Sequence, residues 1–124
     1  MSKAPNKILL VEDDIDIRES LIYFLESEGF NVVAKANGKE AFEFLKDERP
    51  LPALVLLDLM MPVMSGYELL AALAANTANA FKDLPIILLS ASNDIQVVAN
   101  TYGLRFIKKP IHLDLLLELL DPLR

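Results

Sequence analysis

The 124-residue sequence contains no cysteine. A disulfide scaffold, a thiolate metal site and a cysteine nucleophile are all excluded, and the absence is compatible with a reducing cytoplasm, the expected location. There is one histidine, His112, so zinc sites built on several imidazoles are excluded too. Positive charge is in deficit: 12 Lys and Arg stand against 18 Asp and Glu, a formal net charge of −6. Such a surface repels phosphate backbones, and no direct nucleic-acid partner is expected. Long apolar runs are also missing. Residues 53–64 form the longest candidate, and Asp58 and Pro62 interrupt it. A membrane-spanning helix needs roughly 20 apolar residues, so no membrane partner is expected. The run after the basic N-terminus stops at Glu12, too soon for a signal peptide. Gly29, Gly38 and Gly103 read as turn residues, and none sits in a G-x-G-x-x-G dinucleotide fingerprint.

What is present is a foldable chain. Hydrophobic residues make up 53% and charged residues 24%, which excludes a disordered protein. The length suits one domain, residues 1–124, with no effector module after it. Ile8-Leu9-Leu10-Val11 is a short apolar run of the kind buried on both faces of a parallel sheet. Ile17, Leu21, Phe24, Leu25 and Glu28 follow at helical spacing, and Gly29 sits where a helix ends. The alternation then repeats. Strands are expected at 32–34, 54–57, 86–89 and 104–108. Helices are expected around Ala41, Phe42 and Leu45, then at 65–75, 94–102 and 113–120, with Ser65 as an N-cap and a loop at 76–83. Five β-α units in succession predict an α/β fold: a doubly wound, five-stranded parallel sheet in the flavodoxin-like order 2-1-3-4-5.

In such a sheet ligands bind beyond the carboxyl ends of the strands. The first strand ends in Glu12-Asp13-Asp14, the third in Asp58, the fourth in Ser90 and the fifth in Lys108-Lys109. Carboxylates, a hydroxyl and an ammonium therefore converge on one edge. Crowded carboxylates repel each other, which a divalent cation relieves. An oxygen-only donor set suits Mg²⁺, or Mn²⁺. A carboxylate there can attack a phosphoryl group and form an acyl phosphate. Asp14 and Asp16 read as helix-capping residues only.

The same residues resemble the receiver domain of two-component response regulators, of the stand-alone CheY-like kind. Val11-Glu12-Asp13-Asp14 resembles the acidic pair after strand one. Asp58-Leu59-Met60-Met61-Pro62-Val63-Met64-Ser65-Gly66 resembles the phosphoacceptor loop. Ser90-Ala91 resembles the switch hydroxyl pair, and Phe106 with Lys109-Pro110 resembles the aromatic switch and the active-site lysine. The resemblance implies that Asp58 accepts a phosphoryl group from a sensor histidine kinase or a phosphotransfer protein. It implies Mg²⁺ ligation by Asp13, Asp58 and the Met60 carbonyl, with Glu12 acting through water. Lys109 is to pair with a phosphoryl oxygen, Ser90 to swing towards another, and Phe106 to turn inward after it. A cis Lys109-Pro110 bond is implied, and Lys108 is not equivalent to Lys109. Met60 and Ser92 flank the site and are expected to tune phosphoryl lifetime. The output is expected to be a downstream protein contact through helix four, strand five and helix five, with a phosphorylation-dependent homodimer as a further partner. The chain is then no enzyme beyond its own phosphorylation and dephosphorylation. Residues 91–106 look about one turn short for the family, a departure that bears on output.

Other readings use the same fold. A phosphatase of the haloacid-dehalogenase kind wants a second acid two residues after the nucleophile, where Met60 stands. A flavodoxin-like carrier wants hydroxyls and amides where Glu12-Asp13-Asp14 stand. A pseudo-receiver scaffold is expected to lose one of Asp13, Asp58 or Lys109. His112 reads as a solvated helix-terminal residue, and Met60, Met61 and Met64 as packing around the loop. A wheel with Leu113 at zero puts Leu116, Leu117 and Leu120 within about 60° of it, the expected core stripe. Leu115 and Leu119 fall opposite, an expected exposed pair for a partner or a second copy.

Overall fold

The computed structural model describes residues 4–76 and 80–123. Five strands alternate with five helices. The strands are β1 (Ala4–Val11), β2 (Asn31–Lys35), β3 (Pro52–Asp58), β4 (Ile86–Ser90) and β5 (Arg105–Lys108). The helices are α1 (Ile15–Ser27), α2 (Gly38–Asp47), α3 (Gly66–Ala74), α4 (Ile95–Tyr102) and α5 (Leu113–Leu120). All strand pairs are parallel, in the order β2-β1-β3-β4-β5. The fold is thus the doubly wound sheet expected. Part of the predicted loop at 76–83, residues 77–79, lies outside the described residues.

Strand parity explains the layers. Leu9, Val11, Val55, Leu57 and Leu88 point to one face and pack with Ala41, Leu45, Leu69, Leu73, Ile95 and Ala99 from α2, α3 and α4. Ile8, Leu10, Leu54, Leu56, Ile87, Leu89 and Ile107 point to the other and pack with Leu21, Leu25, Leu116 and Leu120 from α1 and α5. Successive side chains of a strand point to opposite faces, so helix cover on both sides demands unbroken apolar runs. All seven residues of β3 are buried.

Caps set the helix starts. Asp14 accepts from the amides of Asp16 and Ile17, Asn37 from Glu40, and Ser65 forms a capping box with Glu68. Asp16 itself lies in the first turn of α1 and caps nothing. Gly38 is not a turn residue but the first residue of α2. It is buried, and a Cβ on it would sit 2.7 Å from the Met64 carbonyl oxygen.

The wheel drawn for the last helix is rotated. Leu116 and Leu120 are fully buried, and Leu119 and Leu123 pack beside them. Leu113, 44% exposed, is outside the core, as is Leu115 at 42%. The stripe runs Leu116, Leu119, Leu120, Leu123, the i, i+3, i+4, i+7 pattern of a one-sided helix. The start of the apolar sequence run was a poor marker of the buried face, because Leu113 begins the helix beyond the edge of the sheet.

Candidate functional site

β1 and β3 are adjacent, with Val11 opposite Leu57, so Glu12 and Asp58 emerge side by side at their carboxyl ends. Glu12 is fully buried and Asp58 is 4% exposed, while Asp13 faces solvent. One oxygen of Asp58 accepts from the Met60 amide at 3.1 Å. The other accepts from Lys109 Nζ at 3.2 Å, and the same ammonium lies 2.8 Å from Glu12 Oε1. Lys109 reaches this point because its amide donates to the Ser90 carbonyl at 2.9 Å, which holds the chain beyond β5 against β4. The Lys109–Pro110 bond is cis, as the resemblance implied.

The backbone around the carboxylates is clamped. Arg18 of α1 donates to the carbonyls of Glu12 at 2.8 Å and Asp13 at 3.3 Å. The loop after β3 is pinned at both ends, by the Gly66 amide on the Leu59 carbonyl at 3.0 Å and the Gly38 amide on the Met64 carbonyl at 2.7 Å. A Cβ on Gly66 would lie 2.7 Å from the Leu59 Cα, so only glycine lets α3 start so close to Asp58.

Burial pushes the Glu12 carboxyl up to about 7. The Lys109 hydrogen bond pulls it down, and the Asp58 charge raises it further. Burial works against the Lys109 charge, but the Glu12 hydrogen bond and the two carboxylates outweigh it, and its pKa is raised. The corner is therefore poised: a fixed cation among carboxylates, one of which is half-protonated near neutrality. Glu12, Asp13 and Asp58 each offer an oxygen, and these lie within 4.8 Å of one another. Oxygens around an octahedral Mg²⁺ are about 3 Å apart when adjacent and about 4 Å when opposite. A contraction of well under 1 Å makes this donor set fit.

Ser90 is fully buried at the end of β4, and its hydroxyl accepts from the Ser92 amide at 3.1 Å. Phe106 is half-buried, lies opposite Leu88, and packs on the α2–α4 side of the sheet, one strand beyond the carboxylates. Lys108 is exposed and donates to Asn93 at 3.0 Å, so it differs from Lys109 as expected. The methionine packing holds for Met61 alone: Met61 is in the core, whereas Met60 is 60% exposed and contributes its backbone. Sequence reasoning missed the Arg18 clamp and a cluster of Tyr67, Ser92 and Asp94. Bonds from side chains to distant carbonyls leave no residue-type signature. The Ser-x-Asp before α4 looks like a helix start, which hides its lateral use.

A doubly wound sheet with buried carboxylates and a lysine at the switch edge defines a class of phosphate-handling α/β domains. A family model for the response regulator receiver domain matches residues 8–121. The chain is similar to response regulator Rre1 of Synechocystis sp., 42% identical over 88 residues that cover 70% of this chain and 36% of that protein. It is also similar to a response regulator receiver protein from Pseudomonas putida, with a TM-score of 0.82 at 30% identity over 98% of this chain and 99% of that one. A third likeness is the response regulator TrrA of Thermotoga maritima, in complex with Mg²⁺ and BeF, with a TM-score of 0.78 at 31% identity over 95% and 98% of the two chains. The chain belongs to the response regulator receiver domain family, whose members are phosphoacceptor switches of two-component signalling rather than conventional enzymes. It spans half or less of the length of the curated relatives it matches. No helix among the described residues is long and apolar enough to cross a membrane.

Proposed function

We propose that Asp58 is the phosphoacceptor and that the donor is a phosphohistidine of a sensor kinase or phosphotransfer protein. The observation that carries this is the placement of Asp58: buried, anchored by the Met60 amide, and paired with Lys109. The free lone pair of an Asp58 oxygen attacks phosphorus. The P–N bond to the donor imidazole breaks, the imidazole leaves with that electron pair, and a P–O bond to Asp58 forms. Lys109 turns from Asp58 Oδ2 towards the transferred oxygens, and Ser90 donates its O–H to another. Asp13, Asp58 and the Met60 carbonyl would hold Mg²⁺, with Glu12 behind them. When bound, the ion offsets charge on the phosphoryl oxygens. Met60 and Ser92, at the rim, govern access of the hydrolytic water.

An open apolar cleft of about 430 Å³ runs beside Lys109, lined by Ile17, Leu21, Pro110, Ile111 and Leu113. It offers the donor protein an apolar footing next to the acceptor. For output, α4 and α5 carry exposed Val97, Tyr102, Leu113 and Leu115, and Phe106 lies on β5 between them in sequence. This supports a downstream protein, or a second copy, as the reader of the phosphorylated state. The test is incubation with acetyl phosphate, with and without Mg²⁺, followed by intact-mass measurement. A phosphoryl mass gain is expected only with Mg²⁺, and not in Asp58→Asn. A gain of equal size in Asp58→Asn would refute the assignment.

A further inference from the structure

Residues 91–94 join β4 to α4, and they are held by polar bonds rather than by burial. Ala91, Asn93 and Asp94 are exposed and Ser92 is half-buried. Tyr67, in the first turn of α3, donates its phenol O–H to the Asp94 carboxylate, 2.8 Å from one oxygen and 3.0 Å from the other. The phenol oxygen is also 3.3 Å from Ser92 Oγ, and Ser92 Oγ donates to Asp94. The Ser92 amide in turn donates to the Ser90 hydroxyl at 3.1 Å. The Tyr67 ring packs against the core on the α2–α4 side, so the phenol is delivered from a fixed position.

The position of Asp94 is a second, independent sign. It occupies the N-cap position of α4, yet its side chain bonds no helix amide, and its backbone is not extended. Asp14, Asn37 and Ser65 all cap their own helices. At Asp94 the capping carboxylate is turned sideways to α3. The short helix α4 therefore begins with no side-chain cap, and its N-terminus is tied to the molecule through Tyr67. Tyr67 directly follows Gly66, whose amide is bonded to Leu59 next to the acceptor Asp58. One continuous path thus runs from the backbone at Asp58 through Gly66 and Tyr67 to Asp94, Ser92 and the Ser90 hydroxyl.

We infer that Tyr67 is a positioning residue: its phenol tethers the segment between β4 and α4 to α3 and so holds the Ser90 hydroxyl in its resting arrangement. For Ser90 to reach an oxygen on Asp58, the Ser92 amide must follow or let go, and the tether opposes both. This rests on the reading of Asp58 as phosphoacceptor. Lys108, bonded to Asn93 from the opposite side, is a weaker and fully exposed second tether.

Tyr67→Phe removes the O–H and keeps the ring. Amide hydrogen exchange of the resting, metal-free protein is expected to rise roughly three- to tenfold at residues 91–95, the effect of losing one hydrogen bond to a partly solvated charge. Segments from β1, β3 and α1 stay at wild-type rates. The rate of phosphorylation by acetyl phosphate with Mg²⁺ rises with it, and the rise vanishes when Ser90→Ala is added. Asp94→Asn, which keeps an acceptor for the phenol, behaves closer to wild type than Asp94→Ala. Unchanged exchange at 91–95 in Tyr67→Phe overturns the inference. So does faster phosphorylation that persists without the Ser90 hydroxyl, since the phenol would then act by another route. If no protein gains phosphoryl mass, the phosphoacceptor reading fails, and the exchange rates alone decide the tether.

Discussion

Residues 8–11 of β1 and all of β3 are buried, and the carboxylates that follow them are fixed by strand register, two glycine contacts and the Arg18 clamp. Residues 91–94, at the end of the neighbouring β4, have one half-buried member and hang on side-chain hydrogen bonds. Both regions present groups to the same edge of the sheet. The first can hold charge in place without moving, because backbone displacement there would break packing on both faces. The second can move at the cost of a few exposed polar bonds. A switch needs both: an acceptor that stays where it is and a hydroxyl that can change partners. The division of labour follows from sheet position, since β1 and β3 are central while β5, beside β4, is an edge strand of four residues.

This contrast can be broken most severely at the rigid corner. Gly66→Ala would gain at most about 1 kcal/mol of helix propensity. Its methyl would meet the Leu59 Cα and the Asp58 backbone, which cannot yield as a flexible side chain does. A net loss of about 2–3 kcal/mol in urea denaturation is expected, with weaker phosphorylation because Asp58 shifts. Wild-type stability in this variant would show that the corner is softer than its packing implies.

The next effect is electrostatic. Glu12 binds its proton with a pKa of about 7 in the folded chain, against 4.5 in the unfolded one. Between these values the unfolded chain is already ionised, and the folded one resists ionisation. Stability of the metal-free protein therefore falls as pH rises from about 4.5 to about 7, by on the order of 2 kcal/mol. Lys109, raised from 10.5, contributes only above that value, outside this window. Melting curves at pH 5 and pH 8 check the sign, and Glu12→Gln should flatten the dependence. A melting temperature that climbs over that range would mean that the Lys109 pairing, not burial, governs Glu12.

The smallest effects belong to the last helix. Leu119→Ala should cost about 1–2 kcal/mol, because the side chain packs with Leu116 and Leu120. Leu115→Ala should stay within about 0.5 kcal/mol, as surface substitutions do. Equal losses at the two positions would restore the wheel centred on Leu113.

The order of strands, both faces of the sheet and the corner residues Glu12, Asp13, Asp58 and Lys109 were legible in the sequence. Each sits directly after a buried apolar run, and register does the rest. The cis bond before Pro110 and the difference between Lys108 and Lys109 were legible through the family resemblance. What was not legible lies where side chains choose among partners. Asp94 reads as a cap and serves as a tether. Gly38 reads as a turn and begins a helix, because the close approach of the Met64 carbonyl is a tertiary contact. Leu113 and Leu119 exchange roles because a run of leucines carries little phase information, and the sheet edge decides which of them finds cover.

The central claim is that Asp58, held between the Met60 amide and Lys109, takes the phosphoryl group. Acyl phosphates are reduced by borohydride to the corresponding alcohol, whereas free carboxylates are not. The chain should be treated with acetyl phosphate and Mg²⁺, reduced, digested and mapped by mass. The account predicts the change at Asp58 alone, lost when Mg²⁺ is withheld and strongly reduced in Lys109→Ala. Reduction at Asp13, phosphorylation on His112, or an unmodified Asp58 in a protein that binds Mg²⁺ would contradict it.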